Sequence, residues 1–118
     1  MEPKDYRAHQ WVDEFPVAIT VCAKDGTIVE MNARSEHTFA KDGGRKLMGG
    51  DVLACHPAAA KEKLNRMLSS GKKNAYTIEK DGVRKLIYQS PWYQDGEYMG
   101  FVELSLEIPM EMAHFKRN

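Results

Sequence analysis

The sequence predicts an α+β domain: a five-stranded antiparallel sheet, helices inserted between strands two and three, and an N-terminal flanking helix. Asp-Gly turns carry most of that reading. The pair occurs four times, and Asp25-Gly26, Asp81-Gly82 and Asp95-Gly96 each separate short segments of strand character. The fourth, Asp42-Gly43, has helical flanks. Gly takes positive φ without steric penalty and Asp tolerates it, which suits Asp-Gly to tight hairpin turns. The second observation is the alternation of Val102, Leu104, Leu106 and Ile108 with Phe101, Glu103, Ser105 and Glu107, the period of a strand. The third is the stretch between the first and second of these hairpins, which reads as helical.

Taken in order, residues 5–15 place Ala8, Trp11, Val12 and Phe15 on one apolar helical stripe. Asp5 is the expected N-cap, and Pro16 ends the helix near Phe15. Strand one runs from Val17 to Lys24, with Val17, Ile19, Val21 and Ala23 sharing a face. Strand two is Thr27 to Met31. Asn32 then caps a short helix, Ala33 to about Ala40, whose inward positions are expected to be Ala33, His37 and Ala40. Residues 41–50 hold four of the nine glycines and read as a loop. A helical turn around Asp51 to Cys55 is expected next. Pro57 suits the first turn of a longer helix, which carries Ala60, Leu64, Met67 and Leu68 inward and stops near Gly71. Strands three, four and five are Asn74–Lys80, Val83–Tyr93 and Tyr98–Ile108. Pro91 lacks an N–H for the ladder, so that end of strand four belongs at an edge or a bulge. Along strand four, Leu86, Tyr88 and Trp92 share one face and Ile87 and Tyr93 the other; the former set is expected inward.

Composition narrows the function classes. At 118 residues the chain fits one hydrophobic core. Its 17 basic and 17 acidic residues cancel, leaving no field to attract nucleic acid or anionic lipid. No apolar stretch approaches the roughly 20 residues that span a bilayer, and the N-terminus lacks the apolar core of a signal peptide. Two cysteines without close spacing suit a reducing cytoplasm. A cytoplasmic domain is therefore expected.

The stretch Asp25-Gly26-Thr27-Ile28-Val29-Glu30-Met31-Asn32-Ala33 resembles the PAS pattern of an Asp-Gly turn, a short strand and an Asn that opens the first helix. Gly49 or Gly50, then Val52-Leu53, then His56-Pro57, resembles the Gly, aliphatic, His-Pro series that leads into the longer PAS helix. Asp95-Gly96-Glu97-Tyr98-Met99-Gly100-Phe101-Val102 resembles the opening of the last PAS strand. The resemblance spans about residues 11 to 108. It implies a flanking helix over 1–16, a PAS domain over 17–108 and a tail over 109–118. It also implies a curved sheet with helices over one face, enclosing a space for a small ligand, in a module that regulates a partner.

Chemistry within the chain is sparse. Cys55 and His56 are the nearest approach to a nucleophile and base, but neighbours on a helical turn point about 100° apart. No orienting carboxylate, phosphate cradle or paired acids accompany them, so no catalytic residue is assigned and no enzymatic activity is expected. The four histidines, His9, His37, His56 and His114, show no metal-ligand spacing. Some PAS domains hold haem or flavin. Flavin photosensors of the family carry a reactive Cys between Asn and Arg; Ala54-Cys55-His56 lacks both flanks, which argues against flavin. Haem is not favoured, because Ala58 to Ser70 contains no His; His37 or His56 would have to ligate from elsewhere.

The expected function is a non-catalytic sensory and signal-transduction module. It would bind a small apolar or aromatic ligand, or a partner protein, and relay a signal through dimer contacts. A haem-based gas or redox sensor and a purely structural dimerisation module, its core filled by Met31, Met48, Leu64, Met67 and aromatics, are the alternatives. The candidate pocket residues are His37, Cys55, His56, Leu64, Met67, Tyr88 and Trp92, with polar contacts from Thr20, Gln89 or Ser90. Trp11, Val12 and Phe15 are the candidate contacts of a homodimer, being large and apolar on a helix that packs only one stripe against its own sheet.

Overall fold

The computed structural model describes residues 9–51 and 58–118. A short helix α1 (Trp11–Glu14) precedes strands β1 (Ala18–Ala23) and β2 (Ile28–Met31). Helix α2 (Ala33–Thr38) follows, then two 3-10 turns, Ala40–Asp42 and Gly44–Leu47, and the longer helix α3 (Ala58–Ser70). Strands β3 (Asn74–Lys80), β4 (Val83–Gln94) and β5 (Glu97–Ile108) complete the sheet. Its order is β2-β1-β5-β4-β3, and every neighbouring pair is antiparallel. The last strand in sequence therefore lies at the centre, beside the first.

The turns behave as their composition requires. Asp81 and Asp95 take φ of 54° and 52°, and Gly82 and Gly96 take 77° and 80°. Two consecutive positive φ values make a type I′ turn, whose twist matches that of the flanking strands. Lys80 pairs with Val83 and Gln94 with Glu97, so each hairpin closes over two residues. At the first hairpin Asp25 Oδ1 accepts from the Thr27 amide at 2.9 Å; hydrogen bonding from Thr27 holds this carboxyl below the usual carboxylate range.

Pro91 occupies an edge and adjoins a bulge. The β3 ladder covers β4 only as far as Gln89, and the β4–β5 register shifts between Trp92 and Tyr93. The adjoining Gly100 has a φ of 148°, and a Cβ there would collide with the Cys22 carbonyl oxygen. Trp92 pairs with Gly100, and its indole N–H donates to that same carbonyl at 3.2 Å. The absent side chain lets β1 and β5 approach and lets the indole reach β1.

Asn32 joins the N-terminal segment, the sheet and the helical layer. Its Oδ1 accepts from Ile19 N at 2.9 Å and, as the N-cap of α2, from Ser35 N at 3.0 Å. Its Nδ2 donates to the carbonyls of Val12, Phe15 and Val17. Only 2% of the residue is exposed.

Several expectations need correction. A continuous helix over 5–15 is excluded by His9, whose φ of 58° is left-handed; the helix begins at Trp11 and ends, as expected, at Phe15. On β1 the buried residues are Ala18 and Cys22, the parity opposite to the Val17, Ile19, Val21, Ala23 set. Ala33 and His37 of α2, and Ala40 in the 3-10 turn beyond it, are exposed, and Ser35 is fully buried, because the Asn32 cap turns Ser35 towards the sheet, where its hydroxyl meets Thr20 Oγ1 at 2.6 Å. On β4 it is Ile87, Gln89 and Pro91 that are buried, while Leu86, Tyr88 and Trp92 are half-buried. The expected loop over 41–50 contains the two 3-10 turns. The Asp5 cap, Ala8, the turn over 52–55 and Pro57 at the start of α3 lie outside the described residues.

Among the described residues the buried apolar cluster is small. Cys22, Met67, Leu68 and Phe101 form it, with Tyr98 packed against them. The Tyr98 hydroxyl donates to Leu68 O at 2.7 Å, tying the end of α3 to β5. Helix α3 stops where Gly71 takes φ 67° and its amide bonds Met67 O.

Two substitutions test these constraints. Asn32→Ala removes an N-cap and orphans buried groups around it; we expect a loss of about 3 kcal/mol, seen as a lower urea midpoint at unchanged slope. Asn32→Asp keeps the acceptor but turns a second oxygen on three carbonyls, and should be nearly as damaging. A wild-type midpoint for either would refute the hub. Gly100→Ala should cost about 3 kcal/mol or more, against about 1 kcal/mol for Gly96→Ala, because a Cβ at Gly96 meets open space. Equal losses would show that the close approach of β1 and β5 does not constrain Gly100.

Candidate functional site

Sheet register places four polar residues in one row. Asn74 pairs with Gln89, Gln89 with Glu103, and Glu103 with Thr20. Residues directly opposite on antiparallel strands share a face and lie within side-chain reach. The row is accordingly wired: Asn74 Nδ2 donates to Gln89 Oε1 at 2.9 Å, and Gln89 Nε2 donates to Glu103 Oε2 at 3.1 Å. At its other end Thr20 meets Ser35 of α2. Both of these hydrogen bonds run towards Glu103, so the network terminates in a carboxylate.

Above this row is a cavity of about 230 Å³. Ile28, Met31, Phe39, Leu47, Leu64 and Met67 supply its apolar walls, while Thr20, Asn74, Gln89 and Glu103 form its polar floor. A polar floor cannot be closed by collapsing aliphatic side chains onto it, since the amides and carboxylate would lose solvent without new partners. The space is a consequence of that mismatch. A smaller recess of about 40 Å³ against Cys22 and Phe101 shares Thr20, Leu64, Met67, Gln89 and Glu103 with it. At the rim, Lys63 Nζ lies 5.8 Å from the Tyr76 ring centroid, and Asp42 also borders the opening. Burial, with the nearby Glu103 charge second, raises the Tyr76 hydroxyl above its ordinary value. Burial likewise pushes the Cys22 thiol up.

Leu64 and Met67 are thus brought together with the expected polar contacts Thr20 and Gln89. Other sequence candidates fall elsewhere. Tyr88 and Trp92 pair along the opposite face of β4, as does Ser90, whose hydroxyl bonds Pro91 O. His37 is exposed on α2 and borders a separate polar groove with Arg34, Lys85, Ser105 and Glu107. Cys55 and His56 lie outside the described residues. Among the described residues the cavity wall carries no imidazole. Nor do the described residues contain a cluster of three His, Cys, Asp or Glu suited to a metal ion. None of their helices is long and apolar enough to cross a membrane.

Sequence reasoning missed Asn74 and Glu103. Asn74 was within reach, because the two-residue Asp81-Gly82 turn dictates its pairing with Gln89. Glu103 was hidden by the bulge at Trp92/Tyr93, which shifts the β4–β5 register by one.

No family model matches the chain, and no curated protein does. Solved structures do. The PAS domain of a Colwellia psychrerythraea protein is 20% identical, with TM-score 0.62 over 87% of this chain and 95% of its own. The PAS domain of an HTR-like protein from Haloarcula marismortui is 21% identical, with TM-score 0.59 over 87% and 90%. The Aer2 receptor of Vibrio cholerae, described as a dual PAS-heme oxygen sensor, is 16% identical, with TM-score 0.57 over 79% and 95%. At these identities the likeness is one of fold. The chain has the fold of a PAS domain, with a mixed polar and apolar cavity between sheet and helices.

The wiring of the floor predicts a stability pattern. Gln89→Leu strands the Asn74 amide and removes a donor from Glu103, and should cost about 1–3 kcal/mol. Adding Asn74→Ala to that variant should cost less than Asn74→Ala alone. Additive losses in urea titrations would show that the row is not coupled.

Proposed function

We propose that this chain is a non-catalytic sensory module whose cavity binds a small molecule and whose response passes through contacts with a second copy. The observation that carries the reading is the cavity over the Asn74–Gln89–Glu103–Thr20 row. An apolar pocket with a few convergent polar groups is the usual form of a small-molecule site. Its walls come from β2, the segment after α2, and α3, so occupancy bears on how the helical layer sits on the sheet. The Aer2 receptor, whose PAS domains sense oxygen through haem, supports a sensory reading of the fold. The described lining here favours an organic ligand held by hydrogen bonds and apolar contact.

Two surfaces support the dimer. Trp11 and Phe15 are 58% and 44% exposed and stack edge to face at 5.4 Å. The carbonyls of Val12 and Phe15 are bound by Asn32, which ties this apolar pair to the start of α2. On the sheet face away from the cavity, Ile19, Val21, Leu86, Tyr88, Leu104 and Leu106 are half-buried. Together these offer a self-complementary apolar surface to a second copy.

Native mass spectrometry of freshly purified protein reads both features. It should show a dimer carrying a retained small-molecule mass. Leu64→Trp, which fills the cavity, should remove that mass while far-ultraviolet circular dichroism is kept. Trp11→Ala with Phe15→Ala should shift sedimentation towards monomer. A monomeric wild type would overturn the relay through a second copy. A retained mass that survives Leu64→Trp would place the ligand elsewhere.

A further inference from the structure

Resting on the reading of the cavity as a ligand site, we infer that its ligand is a small ring compound bearing a cationic N–H donor group, such as an amidine or a protonated amine, which binds the Glu103 carboxylate. The hydrogen-bond direction along the floor carries this assignment. Asn74 donates to Gln89 and Gln89 donates to Glu103, so both amides spend a donor inside the network. Glu103 takes that one hydrogen bond and has no ion-pair partner among the described residues. An ionised carboxylate has room for about four hydrogen bonds. Each amide keeps a second N–H, but the charge on the floor is that of the Glu103 carboxylate with its spare acceptor capacity, and the complement of that charge is a donor carrying positive charge.

The remaining walls set the body of the ligand. They are aliphatic, thioether and aromatic, from Leu47, Leu64, Met31, Met67 and Phe39, which suits a flat apolar ring. A volume of about 230 Å³ exceeds the roughly 150 Å³ of an apolar cavity that admits benzene, and so has room for a single ring with a polar substituent. Lys63 and Asp42 at the rim oppose one another in charge. They leave Glu103 as the charge on the floor.

A series of three nearly isosteric probes tests the assignment: benzamidine, benzamide and benzoate, which are cationic, neutral and anionic on the same ring. Calorimetry gives affinity, and spectra of protein with methyl-labelled methionine report the site through Met31 and Met67. Benzamidine should bind about tenfold or more tightly than either other probe and shift both methyl signals. Glu103→Gln keeps an acceptor for Gln89 and should reduce benzamidine to the level of benzamide. Asp42→Asn, which removes a charge at the rim, should weaken benzamidine less than Glu103→Gln does, and Glu111→Gln in the exposed tail should leave its affinity unchanged. The probe series in the wild-type chain decides the matter even where the variant folds poorly. Benzamide or benzoate binding as tightly as benzamidine, with Met31 and Met67 shifted, would overturn the ligand class and leave the cavity reading standing. Benzamidine binding that is lost in Asp42→Asn, or that leaves both methyls unmoved, would overturn the Glu103 assignment. Failure of all three probes to move either methyl would overturn the inference and the cavity reading together.

Discussion

One buried amide holds the described parts of this molecule together. Asn32 stands where β2 becomes α2, and its side chain is shared among the N-terminal segment, β1 and the first turn of the helix. An amide is suited to this because it accepts through one atom and donates through the other. The acceptor caps the helix and satisfies Ile19; the donor gathers carbonyls from the segment that enters β1. Ser35 is buried as a result and reaches Thr20. The placement of α2 over the sheet, and with it the side of the cavity nearest β1, follows from this one residue.

A second constraint acts at the other side of the sheet. β5 is central, and Gly100 lets it approach β1 closely while the Trp92 indole spans the gap to the Cys22 carbonyl. The adjacent bulge shifts the β4–β5 register by one residue. Because strand side chains alternate with a period of two, such a shift changes which residues stand opposite one another and which face they take. Here it brings Gln89 opposite Glu103. The cavity floor is therefore the product of a glycine and a bulge some distance along the strand.

The aliphatic stripe of β5 shows what that means for function. In a simple two-layer domain, Val102, Leu104 and Leu106 would face the helices and Glu103 the solvent. Here Phe101 and Glu103 face the helical layer, and the aliphatic set lies on the opposite face. The helix-covered side gives up part of its core to a polar row, and the uncovered side keeps apolar surface. Both halves of the proposed function, a ligand space within and a docking face without, stem from this inversion. It also explains why few large side chains are fully buried among the described residues.

Local chemistry was legible in the residues themselves. The type I′ turns at Asp81-Gly82 and Asp95-Gly96, the extents of β3, β4 and β5, the Asn32 cap and the stop at Gly71 all depend on a few neighbouring residues, and each follows from conformational preference. Leu64 and Met67 were assigned to the inner face from helical spacing alone. Facing was not legible for β1, α2 or β4. An alternating strand reads the same whichever side is covered, and a six-residue helix has too few turns to define a stripe. The burial of Ser35 instead of His37, of Gln89 instead of Tyr88, and the inward turn of Glu103 were decided by contacts between elements distant in sequence. Hairpins are local, so the sequence by itself determined the strand order within them; which face of the finished sheet the helices cover depends on the Asn32 and Gly100 contacts, and only the tertiary structure decided that.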